Sequence, residues 1–306
     1  MGWGYVTSNW SFDPLLYAVA AVVALHELGL HRLARRSRPD RTRRRRVRSL
    51  FFYAGLALLV IAVISPIDYW ADAYFYVHML QHLLLMFAAP TLVVAGAPWL
   101  PLLHGVPLRL RRGALRWLIL SPQSGWLRTI GRTVMHPLTA VILFNAVMIA
   151  WHLPVLYDLG YNNQSVHVWL MHGSFFAAGI LFWLLFIPSH PIRLRLNGLR
   201  QVQVLLLTNG VMIVLAMAMS IFSNHAWYPV YGGQPGVSLS PFADQQIGAS
   251  ILWVCGDLWA APAIWIAINR FIREEGGATE AFERLLRKPV LTVADLTEPP
   301  PRQGPA

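Results

Sequence analysis

The stretch Tyr74-Phe-Tyr-Val-His78-Met-Leu-Gln-His82-Leu-Leu-Leu-Met86-Phe-Ala-Ala-Pro90-Thr-Leu-Val-Val-Ala-Gly-Ala-Pro98 contains no charged residue. It is long enough to cross a bilayer as a helix. Its two histidines lie four residues apart, about one helical turn, so both imidazoles leave the same face of a helix with almost nothing else polar to offer. Two neutral imidazoles on one face can chelate a metal. Two satisfied polar side chains packed among helices are the other reading of the same spacing.

Working outward, the rest of the chain has the same character. Hydrophobic residues make up 56% of 306 positions, only 13% are charged, and the mean hydropathy is +0.47. These values belong to an integral membrane protein. Charge-free apolar runs cover residues 14–33, 49–65, 74–99, 135–154, 165–188, 201–222 and 246–269, each near the ~20 residues a spanning helix needs. The expected fold class is therefore all-α: a polytopic membrane protein of seven transmembrane helices.

The formal charge of +11 does not point to nucleic acid, because of where the charge sits. All 25 Lys and Arg fall in four blocks, Arg32–Arg48, Arg109–Arg132, Arg193–Arg200 and from Arg270 onward, which follow spans one, three, five and seven. The segment before span one and the loops after spans two, four and six carry none, only acids such as Asp68, Asp72, Asp158 and Asp244. The positive-inside rule then places the N-terminus outside and the C-terminus in the cytoplasm. The Arg41–Arg48 run reads as a topology determinant that also touches anionic lipid headgroups of the bilayer.

Residues 1–272 form one transmembrane domain, followed by a polar, Pro-rich cytoplasmic tail, 273–306, expected to be disordered apart from a short surface helix near Ala278–Arg287. No basic residue precedes the first apolar run, so a retained span is expected in place of a cleaved signal peptide. The inner loop Pro101–Met135 interleaves arginines with Leu and Trp117 and reads as an amphipathic segment on the cytoplasmic surface. The loop Asn224–Pro241 reads either as an ordered cap over the outer face or, equally, as flexible coil. The single cysteine, Cys255, excludes intramolecular disulfides.

With this orientation, six of the eleven histidines gather at the outer side. His78 and His82 lie in span three, His152 at the end of span four, His167 and His172 in the first turns of span five, and His225 just beyond span six. At ~1.5 Å rise per residue, His152 and His172 arrive at the depth of His78 and His82 from two neighbouring spans. His167 and His172 are about 140° apart around a regular helix, so only one is expected to face His78 and the deeper His172 is favoured, with both kept in the candidate metal set His78, His82, His152, His167 and His172. His26, His31, His104, His136 and His190 lie in the inner half or at cytoplasmic ends.

Imidazoles suit zinc, copper, iron and nickel, and thioethers select copper(I). Met79, Met86, Met148, Met171, Met217 and Met219 lie close to this level, and together they tilt the choice to a copper ion, with zinc the alternative. Met217 and Met219 are the auxiliary candidates. Asp72 and Asp244 read either as partners that orient histidine N–H groups or as simple surface charges. Glu27 beside His26, Asn145, Asn209 and Asp257 are costly in hydrocarbon; Glu27 and Asp257, in the inner half, read as structural polar contacts, with a proton path as the minor alternative.

His78-Met-Leu-Gln-His82 followed by Ala89-Pro90 and Gly96-Ala97-Pro98, Trp151-His152-Leu153-Pro154, the His167/His172 segment leading to Leu181-Phe182-Trp183, and Asp244-Gln245-Gln246 together resemble the CtaG family of cytochrome c oxidase assembly factors, the type associated with caa3 oxidases. The similarity covers nearly all of the membrane domain. The family shares its name with an unrelated single-span, cysteine-bearing copper chaperone, whose cysteines this chain lacks. The resemblance implies a bacterial plasma-membrane protein needed to mature a haem–copper oxidase, handling copper for a centre on the outer side with a copper-containing oxidase subunit as partner.

Three functions compete at this level. The first is a non-enzymatic assembly factor whose His78, His82, His152 and His172 hold copper, or which acts as a metal-free scaffold. The second is a membrane-embedded zinc hydrolase with a three-histidine site and Asp72 or Asp244 as base. The third is a bis-histidine haem protein, against which no span carries the long-interval histidine repeat of stacked-haem bundles.

Overall fold

The computed structural model describes residues 9–10, 15–232 and 239–275, with side chains as far as residue 273. The expected tail, with its surface helix, lies outside the described residues. Among those residues every regular element is a helix, and the single bridge between Ser189 and Ile192 builds no strand. The helices are α1 Leu15–Ala34, α2 Pro39–Ile64, α3 Pro66–Ala71, α4 Phe75–Gly96, α5 Trp99–Gly105, α6 Leu108–Leu120, α7 Gly125–Val134, α8 Pro137–His152, α9 Pro154–Asn162, α10 Val166–Trp183, α11 Gly198–Ser220 and α12 Pro241–Glu275. Six of them, α1, α2, α4, α10, α11 and α12, are long and apolar enough to cross a membrane. A seventh span is counted when α8 is joined to the segment before it, Pro122–Val134, across a 76° bend.

Local chemistry accounts for the boundaries. α2 starts ten residues earlier than the apolar run, at Pro39 in the first helical turn, because proline suits that position and arginine is a good helix former. Thus most of the arginine run is helical. α2 stops at Ile64 because Ser65 precedes Pro66 and takes an extended conformation; the Ser65 hydroxyl then accepts Ile67 N–H at 3.2 Å to open α3. α4 ends with Ala97 in the left-handed region, φ 47°, ahead of Pro98.

α4 is the axis of the bundle: 72% of its apolar window is buried, against at most 44% in any other candidate span. α12 packs along α11 and the first half of α4, and α2 packs on the second half. Gly248 allows the α12 approach, since a Cβ there would sit 2.6 Å from Phe75 and 3.1 Å from Met79. At the arginine-rich end, α1 crosses α5 so closely that a Cβ on Gly29 would meet the Pro101 carbonyl oxygen at 1.7 Å. Lipid tails are as apolar as the side chains, so such contacts hold helices together by dispersion and interhelical hydrogen bonds. Asn145 Nδ2 donates to Val141 O (2.9 Å) and Thr208 Oγ1 (3.3 Å). Asn209 Nδ2 donates to Asp257 Oδ1 at 2.9 Å, which makes Asp257 a structural contact.

The inner loop is helical as α5, α6 and α7. No residue of α6 or α7 is buried; Leu110, Trp117, Leu118, Ile119, Leu120, Trp126 and Ile130 are all exposed beside the arginines. That is the amphipathic surface expected of the loop.

Candidate metal centre

The arginine-free end of the bundle holds all five predicted ligands. α4 supplies His78 and His82, α8 ends on His152, and α10 opens with His167 and His172; all five are at most 6% exposed. Ring centroids of His78 and His82 are 4.3 Å apart, as their one-turn spacing requires. His82 lies 6.0 Å from His172 and 6.1 Å from His152, and His78 stacks on His167 at 5.1 Å.

The expectation that only His172 would face the cluster is wrong. Residues Val166–His172 form a π-helix, whose i→i+5 pattern brings residues five apart onto nearly the same face. His167 Nε2 and His172 Nε2 therefore meet at 2.9 Å. A second π stretch, Leu84–Ala88, follows His82 directly on α4. Both interruptions lie next to the imidazoles.

Three tyrosines absent from the sequence-based set complete the surroundings. Tyr157 of α9 and Tyr231 of the short turn Pro229–Tyr231 both reach His78 Nδ1, at 2.9 and 3.0 Å. They also hydrogen-bond each other, and the Tyr231 hydroxyl donates to Ala71 O at 3.2 Å. Burial pushes both phenols well above their ordinary pKa, so each keeps its one proton. Tyr231 donates to the carbonyl, which can only accept, and Tyr157 donates to Tyr231; Nδ1 of His78 must then carry the proton it shares with the two phenol oxygens. Its other nitrogen, Nε2, is left as the lone pair. Tyr228 donates to His152 O at 2.6 Å, so the loop after α11 does cap this end.

Among the described residues, His78 Nε2, His172 Nδ1 and both nitrogens of His82 are buried with no hydrogen-bond partner. Buried polar atoms are rarely left so. One nitrogen from each of these three residues lies within 4.8 Å of the others. Three buried imidazoles, each with a nitrogen in this group and with no carboxylate among them, fit a copper or zinc ion and do not fit the harder oxygen-seeking ions. His152 is tied at Nδ1, which donates to Met148 O at 2.6 Å, while its Nε2 lies 3.3 Å from Met79 Sδ.

The auxiliary candidates are redistributed. Asp244 is buried but faces no imidazole: its two oxygens accept Phe75 N–H (2.8 Å) and Tyr76 N–H (2.9 Å), capping the α4 N-terminus. It is neither an imidazole partner nor a surface charge. Asp72 is exposed, and its carbonyl accepts the Tyr161 hydroxyl at 3.0 Å. Met219 is one side chain removed, 3.8 Å from the Tyr228 hydroxyl; Met217 is half-buried, and no described contact links it to an imidazole. Met79, between the two histidines of α4, is the thioether that reaches the cluster. His225 is exposed and bonds to Asn224 Oδ1 at 3.0 Å.

Fold and site thus define an all-α, multi-pass membrane protein with a buried imidazole cluster at one end of its central helix. Residues 24–274 match the family described as cytochrome c oxidase caa3 assembly factor, and the chain belongs to that family. Uncharacterized proteins of Mycobacterium bovis and Mycobacterium tuberculosis are each 26% identical over 282 residues, 88% of this chain and 40% of theirs. A protein of Mycobacterium leprae is 26% identical over 287 residues, with 87% and 40% covered. The chain therefore spans less than half the length of these curated relatives. No solved structure matches it.

Proposed function

We propose that this protein serves the assembly of a cytochrome c oxidase in a bacterial plasma membrane, binding copper in the His78, His82 and His172 cluster and releasing it to a copper-containing oxidase subunit. The single observation that carries the reading is the convergence of three buried imidazoles, one nitrogen of each within 4.8 Å of the others, beside the rings of His152 and His167. Family membership supplies the process. The positive-inside rule supplies the side: the arginine-free end, which holds the cluster, faces away from the cytoplasm.

Copper is the cargo in this reading, and the chain's own work is to hold imidazoles in place. The two phenols keep the His78 proton on Nδ1, Met148 O keeps that of His152 on Nδ1, and the Asp244 cap holds the start of α4. The zinc hydrolase alternative is weakened because it needs a carboxylate base at the metal. Asp244 is committed to two backbone N–H groups, and Asp72 is exposed, with no described contact to an imidazole.

The test is metal analysis of the purified full chain after anaerobic copper(I) loading, with oxidase copper content measured in a strain lacking the gene. Stoichiometric copper in the protein and a copper-deficient oxidase in that strain are expected. Stoichiometric zinc excluding copper favours the hydrolase, and no uptake of either metal leaves a scaffold.

A further inference from the structure

We propose that the cluster contains a second, softer position selective for copper(I), formed by His152 Nε2 and Met79 Sδ and joined to the three-imidazole position by His82. The inference rests on the copper reading above and names the ligand atom and oxidation state that reading leaves open. It comes from counting protons. His152 Nδ1 lies 2.6 Å from the Met148 carbonyl oxygen, which can only accept, so the ring's proton is on Nδ1. A neutral imidazole has one N–H, and its Nε2 is therefore a lone pair. That lone pair faces a thioether, Met79 Sδ, at 3.3 Å.

Two acceptors are thus aimed at each other with no proton between them, in surroundings where His152 is 2% and Met79 1% exposed. An imidazolium would fill the gap with a proton, but it would be a buried cation whose contacts are a carbonyl, a thioether and other imidazoles, with no carboxylate to balance it. A soft ion of low charge accounts for the pair directly, since thioethers select copper(I) over zinc(II) and copper(II). Bonds of about 2.0 Å to nitrogen and about 2.3 Å to sulfur meet across a 3.3 Å edge in a bent arrangement.

His82 links the two positions. Its ring lies 4.3 Å from that of His78 on one side and 6.1 Å from that of His152 on the other. Neither of its nitrogens has a protein partner, so no hydrogen bond commits its lone pair to one position. Passage of the ion is an exchange of ligands, His78 and His172 for His152 and Met79, with no change in its oxidation state.

The test uses the full chain in detergent, loaded anaerobically with copper(I) and read by metal analysis and copper-edge X-ray absorption. The wild type is expected to take up about two equivalents and to show a sulfur shell at about 2.3 Å. Met79→Leu, which conserves volume, should lose that shell and about one equivalent of copper(I) while keeping its zinc(II) uptake; Met212→Leu, in α11 away from the cluster, should lose neither. Should Met79→Leu fail to fold, selenomethionine labelling of the wild type gives the same answer, because the sulfur shell must become a selenium shell. A wild type that binds copper without a sulfur shell, or a Met79→Leu protein that retains one, overturns the second position and leaves the first standing. A wild type that takes up no copper overturns the copper reading itself.

Discussion

His26 and His78 have nearly the same immediate chemistry at opposite ends of the bundle. Each is fully buried, each has Nδ1 against a tyrosine hydroxyl, and each has Nε2 without a partner. Tyr53, 2.8 Å from His26, passes its own proton to Glu27, as Tyr231 passes its proton to Ala71 O. What differs is the next layer. The His26 ring packs on Phe52 at 4.5 Å and Tyr53 at 5.3 Å, whereas the His78 ring has His82 at 4.3 Å and His167 at 5.1 Å. An unpartnered imidazole nitrogen is therefore packed among aromatic rings at one end and belongs to a cluster of imidazoles at the other, and only convergence separates them.

The sharpest way to break this comparison is to empty one end and then the other. His78→Ala combined with His82→Ala should reduce bound copper at least about tenfold, the scale on which ligand loss acts, with helical content by circular dichroism unchanged. Retention of copper in that double variant would refute the cluster as the binding site. Tyr231→Phe keeps the ring but removes the hydroxyl that takes the Tyr157 proton, leaving Tyr157 to donate to His78 Nδ1 and shifting the His78 proton to Nε2; copper(I) affinity, measured against a competing chelator, should fall about 10-fold. An unchanged affinity would mean that the phenols do not set the His78 tautomer.

Asp244→Ala tests the support of the cluster apart from its ligands. Two N–H groups at the start of α4 lose their acceptor, so the protein should be less stable by about 1–2 kcal/mol, seen as a lower midpoint of thermal unfolding in detergent with copper stoichiometry retained. The smallest effect on copper should come from the twin: His26→Ala is expected to leave copper uptake as in the wild type, and a loss there would erase the distinction between the two ends.

Much of this was legible before any coordinates. All seven expected spans correspond to helices, and the five histidines named from depth and orientation lie together. What escaped was local phase and non-local reach. Regular-helix geometry favoured His172 over His167 as the one facing His78, and the π-helix brings both to the cluster. Tyr157 and Tyr231 lie in segments between spans, and nothing in their spacing says that their hydroxyls enter the bundle. Asp244 and Phe75 are 169 positions apart, so a cap between them is invisible along the chain. Met219 was chosen by depth alone, and Met79 was only one of several thioethers at that level.

The sequence by itself determined the membrane architecture and the end at which the histidines gather, because hydropathy and charge act additively along a helix and need no knowledge of neighbours. Only the tertiary structure decided which imidazole nitrogens are left without partners and which thioether they face. Those outcomes depend on helical phase, on a π turn and on protons shared between residues far apart in the chain, which no single segment contains.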